Sequence, residues 1–70
     1  MKIREHAALT LRESEILKLI GKAKSSKEIA DALGLSVLTV NNHRKHICGK
    51  LDIHSTAELV AYAVQFSNTY

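Results

Sequence analysis

An all-α domain of four short helices is the fold that this sequence predicts, and three observations carry the prediction. Hydroxyl residues stand three places before a glutamate at Thr10/Glu13, Ser25/Glu28 and Ser55/Glu58, the spacing at which each side chain caps the other residue's backbone N–H at a helix start. Each pair precedes apolar residues of helical period: Ile16, Leu17 and Ile20, then Ile29 and Leu33, then Leu59, Ala63 and Phe66. No alternating strand pattern competes, and the chain has no proline to interrupt a helix.

Taken in order, the first helix is expected over roughly 11–21, opening after Thr10. The second, roughly 26–33, opens after Ser25 and stops at Gly34, where a residue without Cβ tolerates the left-handed exit. Ala30 supplies a small side chain where two helices cross. Ser36 is placed to cap a third helix over roughly 37–51. The fourth runs over roughly 56–66 after Ser55. Residues 1–8 carry no periodic pattern and are expected to be a flexible tail or linker remnant, leaving 9–70 as a single domain.

Composition narrows the function. At 70 residues the domain has little core to spare, since a chain this short buries only about 60% of the surface it exposes when unfolded. Neither a membrane-length apolar run nor a secretory leader is evident. Cys48 is the single cysteine, so an intrachain disulfide is excluded and a reducing cytoplasm is the expected setting. Ten Lys and Arg against seven Asp and Glu give a net charge of +3, a mild bias towards an anionic partner. Its distribution says more. Between Val37 and Leu51 stand Arg44, Lys45 and Lys50 with no acid, whereas the acids Glu13, Glu15, Glu28 and Asp31 lie on the first two helices.

The segment from Ser25 to Leu51 therefore reads as helix, tight turn, helix. Ile29, Leu33, Leu35, Val40 and Ile47 are spaced to share one inner face. That is the pattern of a DNA-binding helix-turn-helix, whose second helix enters the major groove.

From Leu9 to about Val64 the chain resembles the LuxR-type (GerE-like) DNA-binding domain of bacterial transcription regulators. The residues carrying the likeness are Leu9-Thr10, Arg12-Glu13, Glu15-Ile16-Leu17, Ser25, Lys27-Glu28-Ile29-Ala30, Leu33, Leu35-Ser36, Thr39-Val40, His43, Ile47, Lys50-Leu51 and Ile53. The resemblance implies four helices, the third in the major groove and the fourth often used for dimerisation. It also implies an output domain of a response regulator or sensor, with an N-terminal regulatory domain as a partner, or a short stand-alone regulator. Asn41 stands where the family frequently has Lys, Thr56 where it commonly has Arg, Ala23 where it usually has Gly and Leu59 where it usually has Ala. With Gly21 two places ahead of Ala23, the first helix is expected to stop early or to carry a different turn.

At about 100° per residue, Val37, Val40, Ile47 and Leu51 fall on one side of the third helix, and Leu38, Asn41, Asn42, Lys45 and Gly49 on the other. Asparagine can donate and accept together against the N6/N7 edge of adenine, lysine can donate to O6 or N7 of guanine, and an apolar side chain can meet a thymine methyl. The resemblance implies base reading at the positions of Asn41, Asn42 and Lys45, and with Leu38 these are the expected base readers of double-stranded DNA. Ser26 and Lys27 at the start of the second helix, with Thr39, His43, Arg44 and Lys50, are the expected phosphate contacts. For His43, helix packing is an equal alternative, and for Arg44 the alternative is a stem laid over the core edge.

On the fourth helix, Leu59, Ala63 and Phe66 form a stripe towards the core. Ala57, Val60, Ala61 and Val64 form a second stripe, the expected homodimer surface on two half-sites. His43, His46, Cys48 and His54 lack the spacing of a closed zinc site. No Gly-rich phosphate loop or nucleophile–base–orienter trio is evident. No metal, cofactor or catalysis is expected. The alternative function is a helical protein–protein interaction module that keeps the fold without reading DNA. An RNA binder is disfavoured because Tyr62, Phe66 and Tyr70 all lie at the far end of the chain.

Overall fold

A computed structural model describes residues 9–69 and contains four helices: α1 (Leu11–Gly21), α2 (Ser26–Leu33), α3 (Val37–Leu51) and α4 (Thr56–Thr69). The described residues include no strand. The first three helices have the expected bounds, and α4 continues past residue 66 to Thr69. The tail expected at 1–8 and the aromatic ring of Tyr70 lie outside the described residues.

Two of the three capping boxes form as the spacing requires. Thr10 Oγ1 accepts from the Glu13 N–H at 3.1 Å while Glu13 Oε1 accepts from the Thr10 N–H at 2.9 Å. Ser25 and Glu28 repeat the exchange at 3.1 and 2.8 Å. The third is a correction. Ser55 Oγ accepts from the Glu58 N–H at 3.1 Å, but Glu58 Oε1 reaches one residue further back, to the His54 N–H at 3.0 Å. Ser36 caps α3 through the Thr39 N–H at 3.1 Å.

All three inter-helix exits use one device, a left-handed residue just beyond the helix that lets the next N–H reach back to a carbonyl of the last turn. Lys24 N–H meets the Leu19 carbonyl at 3.1 Å, Leu35 N–H that of Ala30 at 2.9 Å, and Ile53 N–H that of Cys48 at 2.9 Å. The left-handed residues are Ala23 (φ 65°), Gly34 (φ 69°) and Asp52 (φ 57°). Only the middle exit has the glycine that such backbone favours. At the first exit the helix does not stop early: α1 includes Gly21, and Ala23 takes the left-handed turn.

The reason for Gly21 lies in packing. A Cβ built there would stand 2.3 Å from the Ala63 carbonyl oxygen, so α1 and α4 approach at backbone distance. Around this crossing the core gathers Ile16, Leu17 and Ile20 of α1, Ile29 and Ala30 of α2, Val40, Ile47 and Leu51 of α3, and Leu59, Ala63 and Phe66 of α4, closed by Ile53. Helix α1 touches the other three, with its most extensive contact on α4, while α2 lies on α3. The two helices α2 and α3 are thus held from behind by α1.

The expected inner face needs three adjustments. Val40, Ile47 and Leu51 fall within about 40° of one another around α3 and are buried. Val37 is 42% exposed, because it stands about 60° round from Val40 on the helix's first residue. Leu33 and Leu35 are only half-buried, packed on the edge of the core.

Candidate nucleic-acid interface

Burying Val40, Ile47 and Leu51 decides which side of α3 meets solvent. Leu38 (70% exposed), Asn41, Asn42, Lys45 and Gly49 are all exposed. Leu38, Asn42, Lys45 and Gly49 cluster about the meridian opposite Val40, and Asn41 lies at their margin, about 80° from that meridian. A leucine so exposed on a helix whose other leucine is buried is an apolar tip presented outward, suited to a thymine methyl.

Asn41 is not isolated on that face. Ser26 Oγ, on the first residue of α2, donates to Asn41 Oδ1 at 2.9 Å. One expected base reader is thereby joined to one expected phosphate contact across the two helices of the motif.

The remaining expected phosphate contacts differ in their commitments. Lys27 is exposed, with only a loose 3.9 Å approach to Asp31, both side chains being more than 70% exposed; such a pair is worth little in water. Thr39 Oγ1 accepts from the Ser36 hydroxyl at 2.9 Å, which leaves its own hydroxyl proton to donate. Arg44 is half-buried and lines an open groove with Asn41, Lys45, Cys48, His54 and Thr56. Burial pushes the neighbouring Cys48 thiol up from its ordinary value despite the charge of Arg44, which disfavours a reactive thiolate.

Lys50 also has a partner within the chain. Its ammonium lies 2.7 Å from Glu13 Oε1, the same oxygen that caps Thr10. Glu13 is a buried charged residue. Burial raises its carboxyl pKa, but hydrogen bonds from Lys50 and the Thr10 backbone, with the lysine's charge, outweigh burial and hold it below the usual value. Sequence reasoning found Glu13 only as a capping residue, because its partner is 37 positions away and no local pattern links them. The Ser26–Asn41 bond went unseen for the same reason.

His43, half-buried, and His46, exposed, share the side of α3 that faces α1. Together with Glu13 they bring one possible ligand atom each to within 4.8 Å of the others. The third donor comes from α1 and not from Cys48. The Lys50 ammonium on the same carboxylate competes electrostatically with any cation there.

On α4, Leu59, Ala63 and Phe66 are buried, and Ala57, Val60, Ala61 and Val64 are exposed, the two valines at 39% and 41%. The second stripe is thus surface in this chain. Among the described residues no helix is long and apolar enough to cross a membrane.

The chain is similar to known bacterial regulatory proteins. A model of the family described as bacterial regulatory proteins, luxR family, matches residues 7–63. "Uncharacterized response regulatory protein YgeK" of Escherichia coli (strain K12) is 54% identical over 57 residues, which are 81% of this chain and 39% of that protein. "Oxygen regulatory protein NreC" of Staphylococcus haemolyticus is 51% identical over 57 residues, 81% of this chain and 26% of that protein, and the protein of that name from Staphylococcus carnosus gives the same figures. The chain therefore spans between 26% and 39% of the length of these relatives.

Proposed function

Because the chain belongs to the luxR family of bacterial regulatory proteins, we propose that it is a DNA-binding domain of a transcription regulator. It reads double-stranded DNA with α3 in the major groove. The observation that carries this reading is the outward face of α3: Leu38, Asn41, Asn42 and Lys45 are exposed together on a helix with three basic residues and no acid. Lys27, Thr39, His43 and Arg44 grip phosphates on either side, setting register without reading sequence. Lys50, paired with Glu13 at the end of the helix, keeps further N–H donors for a phosphate. The names of the relatives support a response-regulator setting, with this domain as its output and a regulatory domain elsewhere in the protein.

Two copies bind two half-sites related by a two-fold axis and meet through Ala57, Val60, Ala61 and Val64. The exposure of this apolar stripe supports that reading. The work is done in the bacterial cytoplasm, where the DNA is, and involves no membrane, metal or cofactor.

The test is selection from a random duplex pool, followed by binding of the winning site across a salt series. A two-fold-related motif whose log K falls steeply with log salt is the expected result. Lys45→Ala should lose discrimination at one base pair by about 1–3 kcal/mol. Tight but unselective binding would reduce the domain to a phosphate binder. No binding by folded protein would favour the interaction module.

A further inference from the structure

We infer that Ser26 is a positioning residue for sequence readout: it holds the oxygen end of the Asn41 amide against α2, so that Asn41 presents its Nδ2 donors to the DNA and favours a guanine over an adenine. This deepens the proposed function and rests on it. A free asparagine amide suits adenine because its oxygen accepts from N6 while its nitrogen donates to N7, both ends working side by side. Here the oxygen already accepts the Ser26 hydroxyl at 2.9 Å. One of that oxygen's two lone pairs is thereby taken and its end of the amide is turned towards α2, so the end left facing outward carries two N–H donors and no acceptor. Guanine offers two adjacent acceptors, N7 and O6, in the major groove, whereas adenine presents an N6 donor that would face those N–H groups.

The orientation of the amide has a physical cause. Ser26 is the first residue of α2, where unpaired backbone N–H groups and the positive end of the helix dipole attract the negative oxygen and repel the amino group. The single hydroxyl proton of Ser26 is spent on Asn41, so it is not available to a phosphate. A phosphate arriving at this end of α2 is left to the backbone N–H groups and to Lys27, whose side chain is 80% exposed. Ser26 thus moves from the phosphate contacts to the reading apparatus, and the adenine preference expected from Asn41 as an isolated side chain is replaced by an acceptor preference.

The experiment uses the site selected by the whole chain and begins with Asn41→Ala, which identifies the base pair that Asn41 reads. That pair is then varied through all four bases for wild type, Ser26→Ala and Ser26→Thr. Wild type is expected to bind guanine about tenfold more tightly than adenine there. Ser26→Ala should collapse or reverse that ratio, and Ser26→Thr, which keeps a hydroxyl, should restore it. Three results would overturn the inference: an adenine preference in wild type, an equal loss on all four bases in Ser26→Ala (the signature of a phosphate contact), or no base pair sensitive to Asn41→Ala. In each of these the domain still reads its selected site. If the pool yields no selected site at all, the DNA-reading function fails and the inference falls with it.

Discussion

The Lys50 ammonium sits 2.7 Å from Glu13 Oε1, and the carboxylate side chain is only 5% exposed, so the last turn of α3 is tied to the first turn of α1 through a buried charge. The same oxygen accepts from the Thr10 N–H at 2.9 Å. One carboxylate therefore starts a helix and anchors the reading helix at its far end.

Acid should loosen this joint. The Glu13 carboxyl is held below its ordinary value in the folded protein, so the unfolded chain takes up its proton first as pH falls. Its stabilisation is fully present above the usual carboxylate range and is lost as pH drops through the lowered folded value. Urea unfolding at a series of pH values should show a decline below pH about 4.5 that Glu13→Gln flattens. At neutral pH, Lys50→Met should cost about 2 kcal/mol by leaving the carboxylate buried without its cation. Glu13→Gln in that background should recover part of the loss, because glutamine can still cap Thr10. Additivity of the two substitutions would show that the pair is not coupled.

Gly21 and Gly49 should respond oppositely to alanine. At Gly21 the added methyl meets the Ala63 backbone at 2.3 Å. Overpacking of about 1–3 kcal/mol should exceed the gain of about 1 kcal/mol in helix propensity. At Gly49 nothing lies within 4 Å of the added atom, so only the propensity gain remains. Thermal melts should move down for Gly21→Ala and up for Gly49→Ala, by about 4–8 °C per kcal/mol in a domain of this size.

Ala23→Gly should stabilise the fold. Alanine at φ 65° bears the penalty of about 1–2 kcal/mol that a left-handed conformation imposes on a residue with a Cβ. Glycine removes it while adding entropy to the unfolded chain, for a net gain of about 0.5–1 kcal/mol. Chemical denaturation with an unchanged m-value is the measurement.

Charging the outer stripe of α4 should separate dimer assembly from reading. Val60 and Val64 are 39% and 41% exposed in the single chain, so Val60→Glu with Val64→Glu should leave the melting temperature of the free domain within a few degrees. Cooperative binding to a two-half-site duplex should be lost, and affinity for an isolated half-site kept. Cooperativity that survives in a gel-shift titration would place the dimer contact elsewhere.

Much of this molecule was legible in the sequence because its signals are local. A capping pair acts across one helical turn, and apolar period records which side of a helix is covered. Hence α1, α2 and α3 have their expected bounds, and Leu59, Ala63 and Phe66 were identifiable as a buried stripe. The third capping box shows the limit of such reasoning. Its spacing is the same as in the other two, yet Glu58 bonds the His54 N–H instead of that of Ser55.

Alone, the sequence determined four helices, where they start, and the sides of α3 and α4 that turn inward, since each depends on residues within a few positions of one another. Only the tertiary structure decided what those helices do to each other. It brings Lys50 to Glu13 and Ser26 to Asn41, and sets the backbone of Gly21 against Ala63. These contacts join residues between 15 and 42 places apart. The crossing of whole helices sets such distances, and that crossing is fixed by how all the buried side chains pack at once.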